Sequence, residues 1–415
     1  MPPNFFDADG QPPRWLAPCL AALVALTPFA IDTYLPAIPA MAQALGVEVA
    51  RVQHSVSSYL LGFAVGQIFG GPLSDRWGRI LVGTIGLCIF IVSTTLILLA
   101  NTVELLVILR FFQAVGGGFA TVICGAIVRD LYHGREAARI MSMIATMMLI
   151  APMVAPVIGS TLLTFGDWHA IFIFLLVYGL LMMVLVRGVL PETVSRFRRA
   201  KRQRQSRRSM LKGYAQIFRC PRALGFLFGQ AFVSGCMFIY ITTAPFVFME
   251  HFGVSSQNFP ILFGSCVLGL VLLVQLNIRL LKVFEPRQIL LVGISLQTIS
   301  CVLLLVSTLY FGDEQPLLAW MIPLVMAMAS IGIITPNSAA CYLEFFPNIS
   351  GTANALYGAS LFIFGGVLGG AVNAVHTGTL VPIAAGMLIC AMAALCLALL
   401  VAKARRPIGI EERVK

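Results

Sequence analysis

Long apolar runs separated by short polar breaks recur along the whole chain. Stretches of about 20 apolar residues, enough for a helix to cross a bilayer, lie near 15–39, 53–72, 80–100, 103–128, 140–163, 170–190, 223–248, 258–281, 287–311, 317–341, 351–374 and 378–402. This pattern predicts an all-α membrane protein of twelve transmembrane helices, six on each side of one long hydrophilic stretch. The first run is long, interrupted by prolines and preceded by little basic charge, so it reads as mature protein and not as a cleaved signal.

Composition agrees. Of 415 residues 59% are hydrophobic and 11% charged, against about 25% charged in an average soluble domain, and the mean hydropathy is +0.92. No soluble core needs that much apolar surface.

Basic residues give the orientation, because basic loops stay in the cytoplasm. Arg76 and Arg79 follow the second run, Arg129, Arg135 and Arg139 the fourth, Arg279, Lys282 and Arg287 the eighth, and Lys403, Arg405 and Arg406 the twelfth. The opposite loops carry Glu48, Glu104, Asp167, Glu250, Asp313 and Glu314. Both termini are therefore expected in the cytoplasm of a multi-pass protein.

The hydrophilic stretch from Glu192 to about Gly213 holds nine Arg and Lys residues. It divides an N-terminal half, 1–190, from a C-terminal half, 223–415, through a basic linker, 191–222. Clusters of this kind bind nucleic acid or anionic lipid in other settings. A topology-setting cytoplasmic linker accounts for it, and for most of the net charge of +11, without a nucleic-acid partner.

Enzyme chemistry is missing. The ten cysteines show no CxxC spacing and lie mostly in apolar runs, where they serve as small buried residues. There is no HExxH, P-loop or nucleophile elbow, and the five histidines are not paired at ligand spacing. No cofactor or metal is expected, and the lack of a nucleotide motif points to an ion gradient as the energy source.

One acid is out of place. Asp32 stands in the middle of the first apolar run, within Thr27-Pro28-Phe29-Ala30-Ile31-Asp32-Thr33-Tyr34-Leu35-Pro36. A carboxylate in hydrocarbon costs roughly 2.5 to 3.5 kcal/mol on insertion scales, so it is read as functional, with a proton or a cation relieving the charge. The plain alternatives are that Asp32 caps a helix segment after Pro28 or lies at a wet end before Pro36.

Three further patterns stand in order along the first half. Between runs 2 and 3 comes Gly71-Pro72-Leu73-Ser74-Asp75-Arg76-Trp77-Gly78-Arg79. There Gly71 allows close helix approach, Gly78 a tight turn, and Asp75 a pairing with a basic side chain or a helix N-terminus that latches the cytoplasmic side. Run 4 places Arg110, Gln113 and Gly117 on one helix face. Arg110 needs a lined cavity or a partner unless it snorkels to an interface. Run 5 spaces Ala151, Ala155 and Gly159 four apart for close packing, with Pro152 and Pro156 allowing a bend. Gly365, Gly366, Gly369 and Gly370 supply a matching device in run 11, whereas 277–282 keeps only the basic character of its counterpart loop.

Taken together these residues resemble the signatures of the major facilitator superfamily, with Ala114 where the fourth-helix motif usually has Gly. The resemblance implies two parallel six-helix halves, and the run 5 pattern resembles the one that marks antiporters. Thr27 to Pro39, Val128-Arg129-Asp130-Leu131-Tyr132, Ala151 to Gly159, Leu190-Pro191-Glu192-Thr193 and Pro347 to Ala353 are more narrowly similar to the Bcr/CflA drug-proton antiporters. This implies export, across a bacterial inner membrane, of small compounds such as bicyclomycin, chloramphenicol-like drugs or sulfonamides, driven by proton entry; the partners expected are the small-molecule substrate, protons and membrane lipid, and the chain is expected to be a monomer. A dedicated exporter of one endogenous metabolite, such as a siderophore, is the alternative; inward symport is disfavoured by run 5.

On this reading Asp32 and Arg110 carry proton coupling: desolvation favours the neutral acid, while a nearby Arg110 favours the ionised form. Tyr34, Gln67, Gln113, Gln230, Tyr240, Asn337 and Tyr357 are the candidate polar anchors of an otherwise apolar substrate cavity.

Overall fold

A computed structural model describes residues 13, 15–132, 134–193, 214–375 and 378–403. Among them are twelve helices long and apolar enough to cross a membrane, and no strand. In chain order these are α1 (Leu16–Asp32, continued beyond a break by the short helix Ile38–Leu45), α2 (Val49–Trp77), α3 (Arg79–Ile97), α4 (Val103–Leu131), α5 (Gly134–Phe165) and α6 (His169–Gly188). The second half comprises α7 (Pro221–Pro245), α8 (Phe259–Leu280), α9 (Pro286–Phe311), α10 (Leu317–Leu343), α11 (Ser350–Ala374) and α12 (Val381–Lys403). Each apolar run holds one helix, and the chain is a multi-pass membrane protein. Most of the basic linker, 194–213, lies outside the described residues.

Helix α1 ends where its sequence requires. Proline has no N–H, and its ring collides with the carbonyl four residues back; for Pro36 that carbonyl belongs to Asp32, the last residue of α1. The acid therefore sits at a helix end inside the protein, and a 3-10 turn, Leu35–Ala37, links it to Ile38–Leu45. Pro245 differs: α7 carries it as the last residue of its regular helix and continues as a π-helical turn, Phe246–His251.

The two breaks share a frame: Phe29-x-x-x-Thr33-x-x-Pro36 in the first half and Phe238-x-x-x-Thr242-x-x-Pro245 in the second. Each threonine faces a glycine of the second-to-last helix of its half. A Cβ on Gly159 of α5 would collide with the Thr33 carbonyl oxygen and stand 3.1 Å from Pro36 Cγ, and a Cβ on Gly369 of α11 would stand 3.0 Å from Thr242 Oγ1. Ala151 and Ala155, two turns and one turn before Gly159, are buried, and Pro152 and Pro156 are carried inside α5 without ending it.

In the first half α4 packs on α2 and α3, α1 on α5, and α3 on α6; in the second, α7 packs on α11 and α12, α10 on α8 and α9, and α9 on α12. Two seams join the halves, α2 against α11 and α5 against α8. Contacts across them reach the side that holds Glu104. Gly366 of α11 abuts Leu61 and Ser57 of α2, and Ser160 Oγ donates to the Ser256 carbonyl at 2.6 Å. The α11 glycines thus serve both α7 and the opposite half. Near Asp75, Gly78 makes the expected turn between α2 and α3 with φ of 109°. The close approach lies one residue from its expected place: Gly70, not Gly71, presses on α4, where a Cβ would meet Val122 at 3.0 Å and Phe119 at 3.1 Å.

Candidate functional site

Between the halves lies a cavity of about 540 Å³, walled by α1, α5, α7, α8, α10 and α11. It reaches from Asp32 along α10 to Ala339, toward the side of the molecule that holds Asp75. Most of the wall is apolar and soft. Met148, Met237 and Met328 and the rings of Phe238, Phe263 and Phe362 supply adaptable contact area from five helices.

Asp32 is the one charged residue among the described residues lining this cavity and their one buried carboxyl, 4% exposed. It makes no hydrogen bond or ion pair with any of them. A buried charge without a partner is strongly disfavoured, so this group needs a proton or a cationic ligand. Opposite it, α7 presents Gln230, Ser234 and Tyr240. Gln230 Nε2 donates to Thr335 Oγ1 of α10 at 3.0 Å and to Ser234 Oγ at 3.5 Å, which makes a small polar corner in an apolar chamber.

Arg110 is not the partner of Asp32. Fully buried in α4, its Nη2 donates to the Ala30 carbonyl at 2.9 Å and its Nη1 to Gln113 Oε1 at 2.6 Å. Its guanidinium lies 4.7 Å from the Tyr34 ring centroid and 4.4 Å from that of Tyr59. Aromatic faces and a carbonyl near the negative end of the α1 dipole thus hold the cation without a carboxylate. Gln113 Nε2 passes the chain on to Thr94 Oγ1 at 2.7 Å. Gly117, one turn along, leaves room for the Tyr59 hydroxyl, which a Cβ would meet at 3.3 Å. Snorkelling is ruled out by this burial, and so is a direct counter-ion role in the arrangement observed.

Of the seven expected cavity residues, Gln230 and Tyr240 line the chamber. The other five lie elsewhere. Tyr34 is buried behind Asp32, its hydroxyl bonded to Ser55 Oγ at 2.8 Å, and Gln113 belongs to the Arg110 chain. Gln67 faces Gly358 across the α2–α11 seam. Asn337 donates to Asn277 Oδ1 at 2.6 Å, and Tyr357 donates to the Thr335 carbonyl at 3.4 Å while stacked on Tyr342. Spacing alone does not say which face of a span looks inward. The repeated Phe-x-x-x-Thr-x-x-Pro frame is the signal that would have singled out Tyr240 and Ile241, because it puts them level with Ile31 and Asp32.

The turn at Gly78 carries a separate polar network. Arg79 pairs with Asp75 at 2.6 Å and Asp130 at 3.3 Å and donates to Ser74 Oγ at 2.6 Å. Glu192 accepts from the backbone N–H groups of Arg79 and Ile80, at 3.1 and 3.3 Å, and Thr193 Oγ1 donates to Asp130 at 2.7 Å. Leu190 to Thr193 thus caps α3 and ties the end of α6 to the loop. The basic partner of Asp75 lies in its own half, and Arg76 is exposed. The network braces the first half.

The family model described as Major Facilitator Superfamily matches residues 20–370. The chain belongs to that superfamily. Its relatives in the superfamily include the bicyclomycin resistance protein homolog of Haemophilus influenzae, 29% identical over 88% of this chain and 90% of that protein. The uncharacterized MFS-type transporter YdgK of Bacillus subtilis is 31% identical over 91% of this chain and 92% of its own. These matches agree with the likeness to Bcr/CflA antiporters noted in the sequence. The crystal structure of a D-xylose-proton symporter superposes with a TM-score of 0.73 over 94% of this chain and 98% of that one, at 15% identity, which establishes the superfamily fold. Superfamily folds of this kind bind substrate near the bilayer midplane between the halves, and the chamber beside Asp32 lies between them.

Proposed function

We propose that this protein exports small, largely apolar compounds across a bacterial inner membrane in exchange for protons. The carrying observation is the lone carboxyl of Asp32 in the wall of a chamber between the halves. A site with one acid and no base is neutral when it holds a proton or a monovalent cation. Substrate from one side and a proton from the other therefore compete for it, and the halves, 1–190 and 223–415, rock about the linker 191–222 between the two occupancies.

The pattern of basic loops supports a cytoplasmic location for both termini and the Asp75 side. The chamber then reaches toward the cytoplasm and is sealed from the periplasm by the α2–α11 and α5–α8 seams, the state that loads substrate. Arg110 acts by geometry: it clamps the Ala30 carbonyl, two residues before the acid, and so fixes where α1 ends. A relative named for bicyclomycin resistance supports drug-like cargo. So does the wall, whose few polar groups suit loosely specified apolar compounds better than one highly polar metabolite.

Efflux of a fluorescent lipophilic cation from cells making the protein tests this. Export that an uncoupler stops, and that Asp32→Asn loses at unchanged protein level, is expected. Undiminished export in either case would overturn the proposal.

A further inference from the structure

The shared frame puts two residue pairs at one level on opposite walls of the chamber: Ile31 and Asp32 from α1, Tyr240 and Ile241 from α7. Each polar residue stands where the other half has isoleucine. Tyr240 is 6% exposed, and its hydroxyl, like the Asp32 carboxyl, has no hydrogen-bond partner. The Cys266 thiol on α8 lies beside that hydroxyl, and Asp32 is close enough to act on the phenol electrostatically. The ring is held in place, stacked on Phe263 at 5.5 Å and set edge-on to Phe248 at 6.3 Å. A buried donor and a buried acceptor facing one chamber, each lacking a partner, complement each other.

We propose that Tyr240 is the positioning residue of the second half for the acid of the first: its hydroxyl donates a hydrogen bond to the Asp32 carboxylate when the site holds neither proton nor substrate. The idea rests on Asp32 being the proton site. Protonated Asp32 carries its own O–H and no longer needs the phenol, and a substrate entering the chamber separates the two. Because a proline follows the shared threonine by three residues in both halves, the bond joins equivalent levels of α1 and α7 in one occupancy state only. No other charged group competes. Cys266 is the remaining titratable side chain on the described wall, α5, α10 and α11 contribute none, and Arg110, Tyr34 and Tyr59 lie outside it.

Infrared difference spectroscopy of the full chain in lipid nanodiscs, titrated without substrate, tests this. The probe is the C=O band of a protonated carboxyl, which Asp32→Asn should remove. Tyr240→Phe keeps the ring and its stack on Phe263, so thermal unfolding should match the parent. Loss of the donor should raise the proton affinity read from the band by about tenfold, the effect of one hydrogen bond to a charged group. A band lost in Asp32→Asn but titrating unchanged in Tyr240→Phe would sink the tyrosine's role and leave the proton site standing. A band that persists in Asp32→Asn would sink both.

Discussion

Gly159 of α5 lies directly against the carbonyl of Thr33, one residue beyond the acid, with no room for a side chain between them. The contact seats the end of α1 on α5 next to Asp32. Overpacking at such a point costs about 1–3 kcal/mol. Gly159→Val is expected to lower the unfolding temperature of the purified protein and to abolish transport. Gly188→Ala, in open space at the end of α6, is expected to change neither. Parental transport by Gly159→Val in vesicles would show that this seat is dispensable.

Arg110 distinguishes charge from shape. As a remote counter-charge it would be replaceable by lysine. The structure has it forking between the Ala30 carbonyl and Gln113 with its plane against two aromatic rings, a task that lysine performs poorly. Arg110→Lys is therefore expected to cut transport at least about tenfold, the cost of one charged hydrogen bond, together with a lower unfolding temperature. Near-normal export by Arg110→Lys would favour the charge alone.

Gln230 and Asn337 separate the chamber from its scaffold. Gln230→Leu removes the polar corner shared with Thr335 and Ser234, and should raise KM several-fold for compounds with hydrogen-bonding groups while sparing purely apolar ones. Asn337→Ala leaves the buried Asn277 unpaired, at about 1–3 kcal/mol, and should lower stability with the substrate spectrum unchanged. A changed spectrum in Asn337→Ala, measured as relative export rates across a compound panel, would mean that the site extends beyond the chamber.

The twelve spans were legible because hydrophobic length is a direct physical requirement of the bilayer, and Asp32 because its cost in hydrocarbon demands a reason. The end of α1 at Asp32 follows from the clash of Pro36 with the carbonyl four residues back. The cavity residues were harder. Tyr34, Gln113 and Asn337 are polar, buried and in spans, but they turn into their own half and bond there. Which way a helix is rotated depends on packing with distant helices, and one sequence does not encode it locally. Arg110 misled in the same way, since a buried cation invites a carboxylate partner, and here two rings and a carbonyl hold it instead.

In the proposed exchange, Asp32 couples substrate movement to protons. The most direct test of that coupling compares two modes in proteoliposomes carrying Asp32→Asn. Substrate exchange at equal pH needs only folding, binding and rocking; uptake driven by an imposed pH gradient needs coupling as well. Exchange is expected to be preserved, and gradient-driven uptake to fall to the rate without a gradient. Uptake that a pH gradient still accelerates in Asp32→Asn would contradict that role.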